Sequence, residues 1–302
     1  MIRVLGIGDN VCDIYLHTGT MYPGGQALNF SVYASKLGAM SDFMGVFGQD
    51  AVAEHIQATL DVLGIGRGHC RNWPGENGFA RVALVDGDRV FKGSNCGGVL
   101  RRHPIVLEPA DLDYAAEFDL IHTSNNSFLD GLLPQLHTLP GLLSYDFSIR
   151  WNEEDRVERV CSHIDAAFLS CSGLNDEETK HLCRRVCERG CTMAVATRGD
   201  LGVTAYDGLR FYHQAPDYVK PVDTMGAGDS FAAALMMTIA EKLKELPDDS
   251  WQTPEVRARL IPQGLKRAVA FSREICLING AFNYGIPVPE HLRPRIYAEE
   301  LS

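Results

Sequence analysis

Asp223-Thr224-Met225-Gly226-Ala227-Gly228-Asp229-Ser230-Phe231 runs straight into an apolar, alanine-rich stretch in which Phe231, Leu235 and Ile239 recur at four-residue spacing. That spacing predicts a helix beginning between Gly226 and Asp229. Its first turn holds backbone N–H groups without intrahelical partners and the positive end of the helix dipole, a combination that favours an anion. Gly226 and Gly228 remove side chains from the turn, so a phosphate can approach the backbone closely. Asp229 then has two readings. It is a helix-capping carboxylate, or it is a base held beside an anion site, ionised at neutral pH by the helix end.

Outward from this stretch, short apolar runs alternate with helical patterns, as in a sheet covered by helices on both faces. The strand candidates are 2–7, 42–47, 119–122, 142–147, 165–170 and 192–197. Between the first two, Ala27, Phe30, Ala34 and Leu37 share a helix face that Gly38 ends; Val52, Ile56, Leu60 and Leu63 form another, ended by Gly64. The alternation breaks at Phe79 to Lys92, where Asp86-Gly87-Asp88 reads as the turn of a hairpin. A hairpin standing off an α/β body could cover a cleft or pair with its own copy in a dimer. The stretch Glu241 to Arg259 is charged and contains Pro247 and Pro254, and reads as an exposed helix end and loop.

The chain has 302 residues and a formal charge of −11, from 28 basic and 39 acidic side chains. That balance opposes non-specific binding to nucleic acid or to an acidic membrane surface. No run is apolar and long enough for a membrane helix. Nine cysteines, without a C-x-x-C pair or a secretory leader, are expected to be reduced, cytoplasmic thiols. Cys183, Cys187 and Cys191 recur every four residues, and Gly190 should end their helix before the third. They read as a soft buried stripe, against the alternative of a metal site.

Near the start, Gly24-Gly25-Gln26-Ala27-Leu28-Asn29 follows an irregular segment and opens a helix, on its own a glycine turn. Asn175-Asp176-Glu177-Glu178 opens another, a good helix start by composition. A dinucleotide fingerprint from Gly6-x-Gly8 fails, because its third glycine position is Val11. Neither Gly-x-Ser-x-Gly nor His-Glu-x-x-His occurs.

Asp-Thr-x-Gly-Ala-Gly-Asp resembles the C-terminal signature of the ribokinase-like (PfkB) carbohydrate kinase family, and residues 223–229 match each fixed position. The resemblance implies a single domain over 1–302, a ribokinase-like three-layer α/β/α sandwich with a small β lid around 79–92. It makes Asp229 the catalytic base and the amides of Gly226, Ala227, Gly228 and Asp229 the anion hole. Gly24, Gly25 and Asn29 match the family's Gly-Gly-x-x-x-Asn segment, and with Asp13 they would bind the sugar; Gln26 stands where the best-known ribokinases have Lys. Asn175 and Glu178 match its Asn-x-x-Glu segment, which organises Mg²⁺ and the phosphates. Thr197, Gly199 and Gly202 would line the ATP site, with Gly280 on its adenine side. Asp146, Arg150 and Trp151 resemble an Asp…Arg…Trp segment whose Arg reaches phosphate or substrate. A monovalent cation is a further cofactor that the resemblance allows.

Within the family, Gly8-Asp9-Asn10-x-x-Asp13-Ile14-Tyr15 and Asp146-Phe147-Ser148 resemble the fructoselysine-kinase branch. The expected activity is transfer from ATP to a primary hydroxyl of fructoselysine or a related ketose derivative. A fructokinase or ribokinase-type kinase is the alternative, and a sugar-sensing, non-enzymatic homologue is the rival outside enzymes.

Overall fold

The computed structural model describes residues 1–85 and 88–298. Its opening strands are β1 (Arg3–Gly8), β2 (Val11–Tyr15) and β3 (Thr20–Gly24), followed by helix α1 (Gln26–Lys36). Next come β4 (Met40–Phe47), α2 (Ala51–Leu63), β5 (Arg71–Asn72), β6 (Gly78–Val85) and β7 (Asp88–Ser94). The middle of the chain supplies β8 (Leu120–Ser124), β9 (Leu142–Ser148), β10 (Ala166–Ser170), helix α3 (Asp176–Glu188) and β11 (Met193–Thr197). The last part holds β12 (Val203–Tyr206), β13 (Phe211–Gln214), the helices α4 (Ala227–Leu243) and α5 (Pro254–Ile275), and β14 (Ile286–Pro287).

The main sheet has the order β13-β12-β11-β10-β9-β8-β1-β4-β5. Its strands from β5 to β11 run parallel, and β12 and β13 close that edge as an antiparallel hairpin. Successive residues divide between the two faces as the pleat requires. Val4, Leu120, Phe168 and Val195 pack with α1, α4 and α5, while Leu5, Ile121, Leu169 and Ala194 pack on the other side with α3. Helices therefore cover both faces, and the six strands expected from apolar runs are all present. No helix among the described residues is long and apolar enough to cross a membrane.

The irregular segment expected before Gly24 is instead part of a second sheet, ordered β14-β3-β2-β6-β7. The hairpin read at 79–92 is its β6–β7 pair, with the Asp86-Gly87 turn outside the described residues. The stretch 241–259 is also more ordered than a loop. Pro254 opens α5, as proline does at a first helical position, and Trp251 and Arg257 are buried, with Arg257 Nη1 donating to the Trp251 carbonyl at 2.9 Å. Of the cysteine stripe, Cys183 and Cys191 are buried and Cys187 half-buried, and α3 ends at Glu188.

One buried side chain ties β2 of the second sheet to the loop before α4 and to the Gly280 loop. Asp223, fully buried, accepts a hydrogen bond from the Tyr15 hydroxyl of β2, one from the Gly280 amide at 2.8 Å and one from the Met225 amide at 2.9 Å. Tyr15→Phe keeps the ring packing and removes one donor from that carboxyl group. The expected loss is about 1–3 kcal/mol, read as a lower urea midpoint with unchanged slope. A midpoint equal to the parent's would mean that Tyr15 serves packing alone.

Candidate active site

Gly226 takes a left-handed conformation (φ 75°) just before α4, and a Cβ there would lie 2.1 Å from the Tyr33 hydroxyl. Only glycine fits such a turn. The Ala227 amide closes on the Thr224 carbonyl at 3.2 Å, and the first helical bond runs from the Ser230 amide to the Gly226 carbonyl at 2.8 Å. Among the described residues, the Gly228 and Asp229 amides have no backbone acceptor outside the helix. A Cβ on Gly228 would meet nothing within 4 Å, so this side of the turn is open. The anion turn is thus narrower than residues 226–229, because the Ala227 N–H is already engaged.

The other signature meets this turn directly. Asn29, on the buried face of α1, donates from Nδ2 to Asp229 Oδ2 at 2.7 Å across 200 residues of sequence. Its Oδ1 is buried without a partner. A Cβ on Gly24 would sit 2.6 Å from Asp13 Oδ2 and 3.8 Å from Asn29 Oδ1, so the glycine lets these two polar side chains lie close to the backbone. Asp13, Gly24, Asn29 and Asp229 therefore lie together.

Asp9, to which the sequence reading gave no role, builds the entry to α1. Gly25 caps that helix without a side chain, and Asp9 from the β1–β2 turn accepts the Gln26 and Ala27 amides at 2.8 and 3.2 Å. The hydroxyls of Ser124 and Ser127 donate to it as well, at 3.0 and 3.2 Å. A cap supplied from another element leaves no local sequence signal.

Electrostatics overturn one expectation. Burial, and then the charge of Asp146, push the Asp229 carboxyl up to about 8; Asn29 and Arg89 pull the other way. Asp13 is pushed up to about 7 and Asp146 to about 6, burial leading in both. Desolvation among like charges thus outweighs the helix end that was expected to keep Asp229 ionised at neutral pH. Arg89 comes from β7 and donates from Nη1 to the Thr224 carbonyl at 2.6 Å. The sequence marked its hairpin but not this residue.

The remaining predicted residues form a second group at the C-terminal edge of the same sheet. Thr197 ends β11, Gly199 and Gly202 flank the turn to β12, and Arg198 between them is buried. Arg198 Nη2 pairs with Asp176 at 2.6 Å and its Nη1 donates to the Leu174 carbonyl at 3.4 Å, tying this loop to the start of α3. There Asn175 and Glu178 cap the helix reciprocally, at 3.0 and 2.8 Å. Among the described residues, Gly280 is bonded to neither group directly; its amide donates to Asp223 at 2.8 Å. Arg150 pairs with Glu153 at 2.7 Å on the surface, and Trp151 donates to the Ser170 carbonyl at 2.8 Å. No hydrogen bond among the described residues joins Thr197, Asn175 or Glu178 to Asp229. A cavity of about 600 Å³ at the opposite edge of the sheet, among Phe118, Asp119, Asp165 and Trp251, is remote from both groups.

Comparison with known proteins shows the family and the fold. The chain matches the pfkB family carbohydrate kinase model over residues 2–138 and 160–250. It is 36% identical over 287 residues to fructosamine kinase FrlD of Bacillus subtilis (strain 168), covering 95% of each chain. With fructoselysine 6-kinase of Escherichia coli (strain K12) the identity is 32% over 230 residues, 76% of this chain and 86% of that one. Among solved structures it resembles a ribokinase of Arabidopsis thaliana complexed with ribose and ATP, with a TM-score of 0.73 at 18% identity over 94% and 95% of the two chains. This chain belongs to the pfkB family of carbohydrate kinases and has their ribokinase-like fold.

Proposed function

We propose that this carbohydrate kinase transfers the γ-phosphoryl group of ATP to the primary 6-hydroxyl of a fructosamine, a fructose-like ketose bearing an amine-linked group, with fructoselysine the leading candidate. The observation that carries the chemistry is the 2.7 Å bond from Asn29 to Asp229, which supports reading the two signatures as one acceptor site. In this reading Asp13, Gly24, Gly25 and Asn29 hold the sugar hydroxyls. Asp229 accepts the proton of the attacking hydroxyl while the new O–P bond forms and the bond from phosphorus to the ADP oxygen breaks. The Gly228 and Asp229 amides face the charge on the transferred group, in a turn shaped by Gly226 and Ala227.

Thr197, Gly199, Gly202 and Gly280 are assigned to the nucleotide. Asn175 and Glu178 suit Mg²⁺ as oxygen donors: Glu178 Oε1 lies outside the cap that engages its Oε2. No group of three or more His, Cys, Asp or Glu side chains could hold a metal among the described residues, so water and phosphate oxygens would supply most of the shell. When bound, Mg²⁺ neutralises phosphate charge. The names of the two relatives favour a fructosamine.

Asp229→Asn is expected to retain ATP binding and lose about 10²- to 10⁴-fold in kcat, the usual share of a positioned base. Turnover within threefold of the parent would reduce Asp229 to a cap. Since the acid must lose its proton to act and sits at about 8 in the free protein, kcat/KM should climb from pH 6 and level off above pH 8, a rise on the order of a hundredfold. A flat profile over that range speaks against this base.

We read the β6–β7 hairpin as a lid within a single kinase domain. Removing residues 86–89 should raise the sugar KM and the hydrolysis of ATP without sugar; no change in either would count against a lid. For the acceptor, kcat/KM should be highest for fructoselysine and roughly 10- to 150-fold lower for fructose, the worth of one charge-assisted hydrogen bond to the amine-linked group. Equal or better activity on ribose or adenosine would remove the fructosamine assignment and leave the kinase in place.

A further inference from the structure

Arg89 reaches from β7 in the second sheet to the loop that opens α4, where its Nη1 donates to the Thr224 carbonyl at 2.6 Å and lies 3.4 Å from the Thr224 hydroxyl. Thr224 accepts in turn from the Ala227 amide, so the guanidinium is bonded to the carbonyl that closes the anion turn. Around it the acceptor pocket is acidic. Asp9 faces Asp229 from the β1–β2 turn, Asp13 stands on β2 and Asp146 at the end of β9. Helix α1 contributes the neutral Asn29 and the Tyr33 phenol, and α5 brings Ser272 and Cys276 to the back of the turn. Among the described residues, no basic side chain is hydrogen-bonded to or paired with these carboxyl groups, and Arg89, bonded to Thr224, acts on them through space. Arg89 favours the charged form of Asp13, Asp146 and Asp229 alike.

We infer that Arg89 is a positioning residue for the reaction: carried to the pocket by the β6–β7 hairpin, it supplies the positive charge that keeps Asp229 able to accept a proton. This inference rests on Asp229 being the base. An opposite charge lowers the pH at which a base buried among like charges gives up its proton. Placing that charge on the hairpin makes the readiness of the base depend on where the hairpin sits, so the acceptor site is complete only with the hairpin over it.

The test separates charge from structure. Arg89→Gln keeps an N–H donor for the Thr224 carbonyl and removes the charge, whereas Arg89→Lys keeps the charge. With saturating Mg·ATP and one acceptor throughout, kcat/KM of Arg89→Gln should fall about tenfold at pH 7, the effect of raising the base by one pH unit, and approach the parent value toward pH 10. Arg89→Lys should stay within threefold of the parent across the range. A loss that is the same at pH 7 and at pH 10, no loss at either, or an Arg89→Lys variant as poor as Arg89→Gln would overturn the inference. Asp229→Asn measured alongside keeps the two readings apart. If it stays active the base assignment falls and this inference with it, whereas an inactive Asp229→Asn with a pH-independent Arg89→Gln loss removes the role of Arg89 alone.

Discussion

Asp223 is the constraint on which the rest of the site depends. Its carboxyl group is wholly enclosed and is met by a hydroxyl from β2, an amide from the Gly280 loop and an amide from its own loop. A buried carboxyl group without such partners would cost several times what any one of these bonds contributes, so the three segments are held to one geometry. Six residues further on, that geometry becomes the position of Asp229. The same carboxyl group holds β2, which carries Asp13, beside the loop that leads to Asp229.

The pocket itself runs against ordinary packing economy, since it gathers Asp9, Asp13, Asp146 and Asp229 in a largely desolvated space. Each is managed differently. Asp9 is absorbed as a cap by two helix amides and two serine hydroxyls. Asp146 accepts the Ser148 amide at 2.6 Å. Asp13 and Asp229 are left with fewer partners and shift furthest upward, to about 7 and about 8. Groups whose ionisation is poised near neutral pH, facing an unsatisfied Asn29 oxygen, are what a site for hydroxyl recognition and proton transfer requires.

The nucleotide side is built on a different principle. Buried Arg198 locks the turn after β11 to the start of α3, and the capping pair of Asn175 and Glu178 sits at that junction. Those residues do structural work without a ligand, and a cap that has spare oxygen can also face a hydrated cation. Both groups of residues lie at the C-terminal edge of the parallel strands, where open α/β sheets bind their ligands.

Much of this was legible before any coordinates. The strands β1, β4, β8, β9, β10 and β11 betray themselves by apolar runs, and α1 and α2 by their periodicity and terminal glycines, because burial on one face imposes a local repeat. The turn at 223–229 and the Gly24 to Asn29 segment were also visible, since close backbone approach needs glycine at fixed spacing. What stayed hidden had no local repeat to report it. β2 and β3 are short strands in a small sheet; Asp9 caps a helix whose first amide, that of Gln26, is 17 residues away in sequence; and Arg89 meets Thr224 across 135 residues. The sequence alone determined the family, the layers and the chemical vocabulary of the site. Only the tertiary structure decided which carboxyl groups share a pocket, how far burial raises them and which cation opposes them, because desolvation and charge coupling act through space and leave no trace in the order of residues.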